Sequence, residues 1–240
     1  MLGVEAFQTA AAAEPAPRPL APPTLAVPRL AALGGDGLRP ALKRSMDIAG
    51  AGALLLLFLP AFAVLAALIT LDGGSVLFAH ERVGRAGRRF RCLKFRSMVV
   101  DAEARLRALL ETDPAARAEW EATRKLKRDP RITWVGRFLR ATSLDELPQL
   151  INVLRGEMSL VGPRPVLAAE LERHYGVAAE HYLSVRPGLT GPWQVSGRSD
   201  TSYAQRVALD VHYATHASLW TDLAILLRTP AAVLSRRGAY

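Results

Sequence analysis

IAGAGALLLLFLPAFAVLAALITL, residues 48–71, is a run of 24 side chains without a charge. A straight helix of that length reaches about 36 Å, enough to cross a bilayer core. On hydropathy alone a simple transmembrane helix is a full competitor. Two features turn the reading toward a segment that enters the membrane and returns. Pro60 stands mid-run, where it removes a backbone hydrogen bond and kinks the helix into arms of about 18 Å, each too short to cross. Basic residues flank both ends: Arg39, Lys43 and Arg44 before the run, then Arg82, Arg85, Arg88, Arg89 and Arg91 after it. A span places one of these clusters on the outer face, against the positive-inside bias, whereas a re-entrant hairpin keeps both inside.

Upstream, seven prolines fall within residues 1–40 amid alanines, a composition that buries too little surface to offset its ordering entropy. Residues 1–42 are therefore expected to be a disordered tail, and 43–72 the membrane anchor. The tail is not expected to be a secretory signal, because its first basic residue is Arg18 and no continuous apolar stretch follows a charged start. Downstream, the apolar segments at Val76–Phe78 and Phe90–Phe95, separated by Gly84 and Gly87, predict a short β-hairpin. Residues 101–128 predict two helices divided at Asp113-Pro114, with Asp129-Pro130 ending the second. A helix is expected to begin at Ser143, with Leu147, Leu150, Ile151 and Leu154 as its apolar stripe. The fold expected is α+β and mainly helical: a compact cytosolic catalytic domain over 73–240, one kinked re-entrant helix, and helices lying at the membrane interface. Leu219–Leu234 can be read as such an interfacial helix or equally as a core helix with a basic end.

The 240 residues carry 31 Lys+Arg against 22 Asp+Glu, a net charge of +9, which suits a nucleotide, a nucleic acid or an anionic lipid surface. The single cysteine, Cys92, excludes an internal disulfide framework and reads as a packed side chain.

Chemistry concentrates in Ser143-Leu144-Asp145-Glu146-Leu147-Pro148-Gln149. A bland reading is available: Ser143 as N-cap with Glu146 three residues on forms a capping box, and acids suit the positive end of a helix dipole. A functional reading needs cations around the acidic pair, and several sit where glycine or proline fixes the backbone. Arg164 lies in Gly162-Pro163-Arg164-Pro165, Arg186 precedes Pro187-Gly188, and Arg198 follows Gly197. Guanidinium forks grip phosphate oxygens bidentately, so rigid arginines around one acidic pair point to phosphoryl transfer. His212 and His216 have the spacing of helical metal ligands but no third ligand is signposted, and Trp193 suits either stacking on a base or loop packing.

In order along the chain stand Lys43-Arg44 with Asp47, the apolar segment at Pro60, Arg82-Val83-Gly84 and Lys94-Phe95-Arg96-Ser97-Met98. Asp129-Pro130-Arg131-Ile132-Thr133, the Asp145-Glu146 motif, Gly162-Pro163-Arg164-Pro165 and Arg186-Pro187-Gly188-Leu189-Thr190-Gly191 complete the set. Over residues 43–240 the sequence resembles the bacterial sugar transferases, monotopic phosphoglycosyl transferases that start exopolysaccharide and related glycans. The resemblance implies that Asp145 attacks the sugar-bearing phosphorus of a UDP-sugar, expels UMP and holds the phosphosugar until polyprenyl (undecaprenyl) phosphate takes it. It implies Mg²⁺ held with the help of Glu146, and Arg140 placing the lipid phosphate. Lys94, Arg96, Arg164, Arg186 and Arg198 are the further phosphate-binding candidates; Lys43, Arg44, Asp47 and Pro60 belong to the anchor. His80 departs from the glutamine expected in many relatives. The expected location is the cytoplasmic membrane with the catalytic domain facing the cytoplasm. Membrane lipids are expected as partners and nucleic acid is not, and the oligomeric state, a homo-oligomer included, stays open. The competing enzyme class is a conventional glycosyltransferase releasing UDP, whose usual Asp-x-Asp motif the chain lacks.

Overall fold

The computed structural model describes residues 38–71, 73–123, 125–197 and 201–234. Arg198 and the last six residues therefore lie outside the described part, as does the tail as far as residue 37. The first element, α1 (Leu38–Thr70), is one 33-residue helix with Pro60 inside it. It begins within the stretch expected to be tail, with Pro40 near its start, where the missing N–H costs no helical bond.

The hairpin forms as expected from β1 (Leu77–Val83) and β2 (Arg89–Phe95), antiparallel with Phe78 opposite Lys94. Helices α2 (Ala102–Thr112) and α3 (Pro114–Thr123) are divided at Asp113, whose carboxylate accepts from the Ala115 and Ala116 amides. α3 ends six residues before Asp129. Then α4 (Trp134–Thr142) starts at an N-cap, Thr133, whose hydroxyl accepts from the Gly136 amide.

The helix expected to start at Ser143 is a correction. Ser143 has φ 57° and closes α4 from the left-handed region, its side chain making no cap. A single 3₁₀ turn, Leu144–Glu146, follows, and α5 (Gln149–Arg155) begins only after Pro148. The buried face of α5 is Gln149, Leu150, Asn152 and Val153, whereas Leu154 is 38% exposed, so the predicted apolar stripe is rotated. Asn152 displaces a leucine from that face because its amide is fully used: Oδ1 accepts from the Leu93 N–H, and Nδ2 donates to the Arg91 carbonyl and to Glu157.

The second sheet pairs β3 (Ser159–Val161) in parallel with β4 (Gly188–Thr190), joined through α6 (Ala168–His174) and α7 (Ala179–Ser184). Glycine is required where they meet, since a Cβ on Gly188 would collide with the backbone nitrogen of Gly162. The described part closes with α8 (Pro192–Val195), α9 (Tyr203–His216) and α10 (Leu219–Leu234). On α10, Asp222 and Ile225 are buried while Trp220, Leu223, Leu227 and Leu234 are exposed, an apolar face turned outward.

Both ends of α1 pack on the body that these elements build. Near its start, Ala51 joins the core of Cys92, Leu150, Met158 and Ile225. Asp47 is buried there, accepting from Lys43, the Ser159 hydroxyl and the Leu160 amide. Near its end, Leu65 and Ile69 share a core with Phe95, Val135 and Leu139. Between the two ends Leu56, Leu57, Leu59 and Val64 are 60–75% exposed.

Candidate active site

Asp145 lies in the 3₁₀ turn after α4, buried, with Glu146 beside it. Three contacts place them. Gly136 lets α4 lie directly on the Ser97 carbonyl, where any Cβ would collide. Arg140, one turn before Asp145, donates through Nε to Ser97 Oγ at 2.9 Å. From β2, Lys94 Nζ reaches Glu146 Oε1 at 2.6 Å and Asp145 Oδ2 at 3.7 Å.

Burial pushes the Asp145 carboxyl up to about 6; the Glu146 charge pushes the same way, and Lys94 and Arg140 oppose it. Burial works against the Lys94 ammonium, but Glu146 and Asp145 outweigh it and its pKa is raised. The pair with its lysine opens on a cleft of about 720 Å³, also lined by Arg96, Ser97, Arg140, Ser143, Arg164 and Lys125. That size accommodates a nucleotide with a sugar.

The expected site residues separate into two groups. Lys94, Arg140, Asp145, Glu146 and Arg164 come together on the cleft. Lys125 joins them, a cleft cation that the sequence reading missed within the basic run 124–128. Arg164 also stands 5.0 Å from the centroid of Trp193, with Arg206 at 4.7 Å. Trp193 is largely buried against these guanidiniums and also lines the cleft, so its position suits either packing or stacking on a base.

The other described candidates make contacts within the fold, and of these Arg96 alone also lines the cleft. Arg96 lines the cleft but its guanidinium donates to the carbonyls of Ile69, Ser75 and Met98, clasping the end of α1. Arg186 does not reach the cleft; its Nε donates to the Gly156 carbonyl. Lys43 pairs with Asp47 and with buried Asp222 at 2.8 Å, and Tyr213 donates to Asp222. Arg44 donates to the carbonyls of Val153 and Leu154 at the end of α5. These anchor residues dock α1 onto the body, and neither cation faces the cleft. In Asp129-Pro130-Arg131, a bidentate pair closes the loop on itself, Arg131 Nη2 to Asp129 Oδ2 at 2.7 Å. Cys92 is packed in the core as expected, and burial pushes its thiol up to about 11. His212 and His216 stack on one another at 4.4 Å.

Among the described residues, a mainly helical body with small sheets carries one candidate membrane helix and an acidic pair ringed by cations. The chain belongs to the bacterial sugar transferase family, whose sequence model matches residues 38–236. It is 57% identical over 199 residues to a UDP-galactose-lipid carrier transferase of Erwinia amylovora and 54% identical to an undecaprenyl-phosphate galactose phosphotransferase of Salmonella typhimurium. Each match covers 83% of this chain and 42% of the relative, so the chain spans about two fifths of their length. It is also 53% identical to the exopolysaccharide production protein ExoY of Rhizobium meliloti, over 82% of this chain and 88% of that protein.

Proposed function

We propose that this chain transfers a sugar-1-phosphate from a UDP-sugar to polyprenyl (undecaprenyl) phosphate, releasing UMP, as the first membrane step of exopolysaccharide or related glycan synthesis. The observation that carries the reading is Asp145, buried beside Glu146 and Lys94 on a cleft lined with cations. A carboxyl with a pKa of about 6 is mostly ionised at neutral pH, in a site that disfavours its charge. One of its oxygens attacks the phosphorus that bears the sugar, the bond from that phosphorus to the UMP oxygen breaks, and UMP leaves with the electron pair. The negative charge passes to phosphoryl oxygens, where Arg140, Arg164 and Lys125 on the cleft offset it. An oxygen of polyprenyl phosphate then attacks the same phosphorus, and the Asp145 carboxylate is restored. Arg140 is assigned to the entering lipid phosphate.

The donor set suits Mg²⁺ held by one or two carboxylates together with substrate phosphates. Glu146 is partly exposed beside Asp145, and among the described residues no group of three or more His, Cys, Asp or Glu forms a cage. Glu146, with Asp145 next to it, would hold the ion in competition with the Lys94 ammonium. When bound, the ion supplies positive charge against the diphosphate.

The anchor is read as re-entrant, with the body over 73–240 on the cytoplasmic side of the cytoplasmic membrane. Both ends of α1 rest on the same body, whereas a straight span would carry one end across a hydrocarbon core about 30 Å thick. The outward apolar face of α10, with Trp134 and Phe138 exposed on α4, suits helices lying at the interface.

The test is product analysis with membrane-reconstituted protein, polyprenyl phosphate and a panel of UDP-sugars. UMP release, with labelled sugar-phosphate trapped on the wild type but not on Asp145→Asn when acceptor is omitted, supports the reading. Release of UDP makes the protein a conventional glycosyltransferase, and undiminished turnover in Asp145→Asn excludes the covalent route.

A further inference from the structure

Ser143 occupies a backbone position that favours glycine. Its φ of 57° lies in the left-handed region, which L-residues resist and which glycine adopts freely at the end of a helix. A polar side chain there is explained if it caps a helix, and Ser143 does not: its hydroxyl accepts no backbone amide, and no partner for Oγ is found among the described residues. Strain alone argues nothing, since Ala86 has the same φ in the exposed turn of the hairpin. What distinguishes Ser143 is its address. It lines the cleft with Arg140 and Asp145, two residues before the carboxylate, and only partly buried. Its amide donates to the Arg140 and Leu139 carbonyls and its carbonyl accepts from the Glu146 amide, so the backbone that carries the hydroxyl is held on both sides.

We propose that the Ser143 hydroxyl is a substrate contact, donating a hydrogen bond to an oxygen of the diphosphate that Asp145 attacks. The proposal rests on the transfer reaction proposed above. A carboxylate approaching a phosphorus meets the charge on its non-bridging oxygens. A neutral donor on the same turn holds one of those oxygens without raising the cation count around Asp145, whose reactivity depends on its charge.

Two substitutions separate hydroxyl from backbone. Ser143→Gly removes the hydroxyl and relieves the left-handed conformation; Ser143→Ala removes the hydroxyl and keeps the conformational cost. If the hydroxyl touches the diphosphate, both lose roughly 10- to 100-fold in kcat/KM for UMP release, the range for a hydrogen bond to a charged group. Ser143→Gly melts no lower than wild type, because glycine adopts the left-handed conformation freely. Calorimetric binding of UDP, which needs no turnover, should weaken by about tenfold or more in both variants. Full activity and full UDP affinity in Ser143→Gly overturn the proposal. So does a loss in Ser143→Ala that Ser143→Gly restores, which makes the position a backbone device. Wild type that binds UDP but releases no UMP refutes the reaction and leaves the contact to be judged on affinity alone; wild type that binds no UDP refutes both.

Discussion

Replacing Asp145 by asparagine should stabilise the protein while it abolishes turnover, and the gain should depend on pH. The carboxyl is displaced from its ordinary 3.8 to about 6, chiefly by burial. Its folded pKa exceeds its unfolded one, so between those values the folded state binds more protons and stability falls as pH rises. Below about 3.8 the cost is absent; above about 6 it is complete. At roughly 1.4 kcal/mol per pH unit the displacement is worth about 3 kcal/mol, a ceiling because Asn is an imperfect copy of the protonated acid. For a chain of this size that is on the order of 5–10 °C in melting temperature. Lys94 keeps Glu146 at 2.6 Å in the variant, so no buried cation is left alone. Thermal melting of wild type and Asp145→Asn in lipid nanodiscs between pH 4 and pH 8 reads the effect directly. Asp145→Asn should match wild type near pH 4 and exceed it by several degrees at pH 7.5. A variant that melts lower, or a gain equal at both pH values, would refute the idea that Asp145 is held in a site hostile to its charge.

Glu146→Gln removes the like charge beside Asp145 and leaves Lys94 to the remaining carboxylate, both of which lower the Asp145 pKa. The acid limb of phosphosugar trapping should move to lower pH while the plateau falls steeply, and excess EDTA should silence the wild type if Mg²⁺ serves the site. Lys43→Met leaves Asp47 and Asp222 buried without their shared cation, a change worth about 3 kcal/mol or more; circular dichroism melting should fall markedly, and an unchanged midpoint would mean the pair does not hold α1. Cysteines introduced near residues 40 and 85, with Cys92 replaced, should both be shielded from an impermeant thiol reagent in intact cells, and labelling of either would favour a span.

What the sequence disclosed of this fold was the part decided within a few residues. The hairpin follows from two apolar runs around Gly84 and Gly87, and the break between α2 and α3 from Asp113-Pro114, whose carboxylate caps the second helix. The acidic pair and Arg140 could be placed together for the same reason, being one turn apart. What stayed hidden depends on partners far along the chain. Lys43 looks like a membrane-flanking cation until Asp222 is seen beside it, and Arg186 looks like a phosphate ligand until the Gly156 carbonyl is seen to accept its Nε. Ser143 failed differently: Ser-x-x-Glu is a sound helix-start signal, but α4 runs into the motif from the N-terminal side, and the serine had to close one helix before another could open.

The anchor and the chemistry meet through one short stretch of β2. Lys94 holds the acidic pair, Phe95 packs on Phe62 of α1 with ring centroids 5.1 Å apart, Arg96 donates to the Ile69 carbonyl at the end of that helix, and Ser97 receives Arg140. Side chains alternate across a strand, so Lys94 and Arg96 turn to the cleft while Phe95 turns to the core beneath it. Any depth that α1 takes in a bilayer is thereby passed to Asp145 through rigid neighbours rather than through a flexible linker. In the transfer proposed above one substrate arrives from water and the other stays at the lipid surface, so Asp145 would need a fixed height. Four consecutive residues of β2 and its extension provide that coupling.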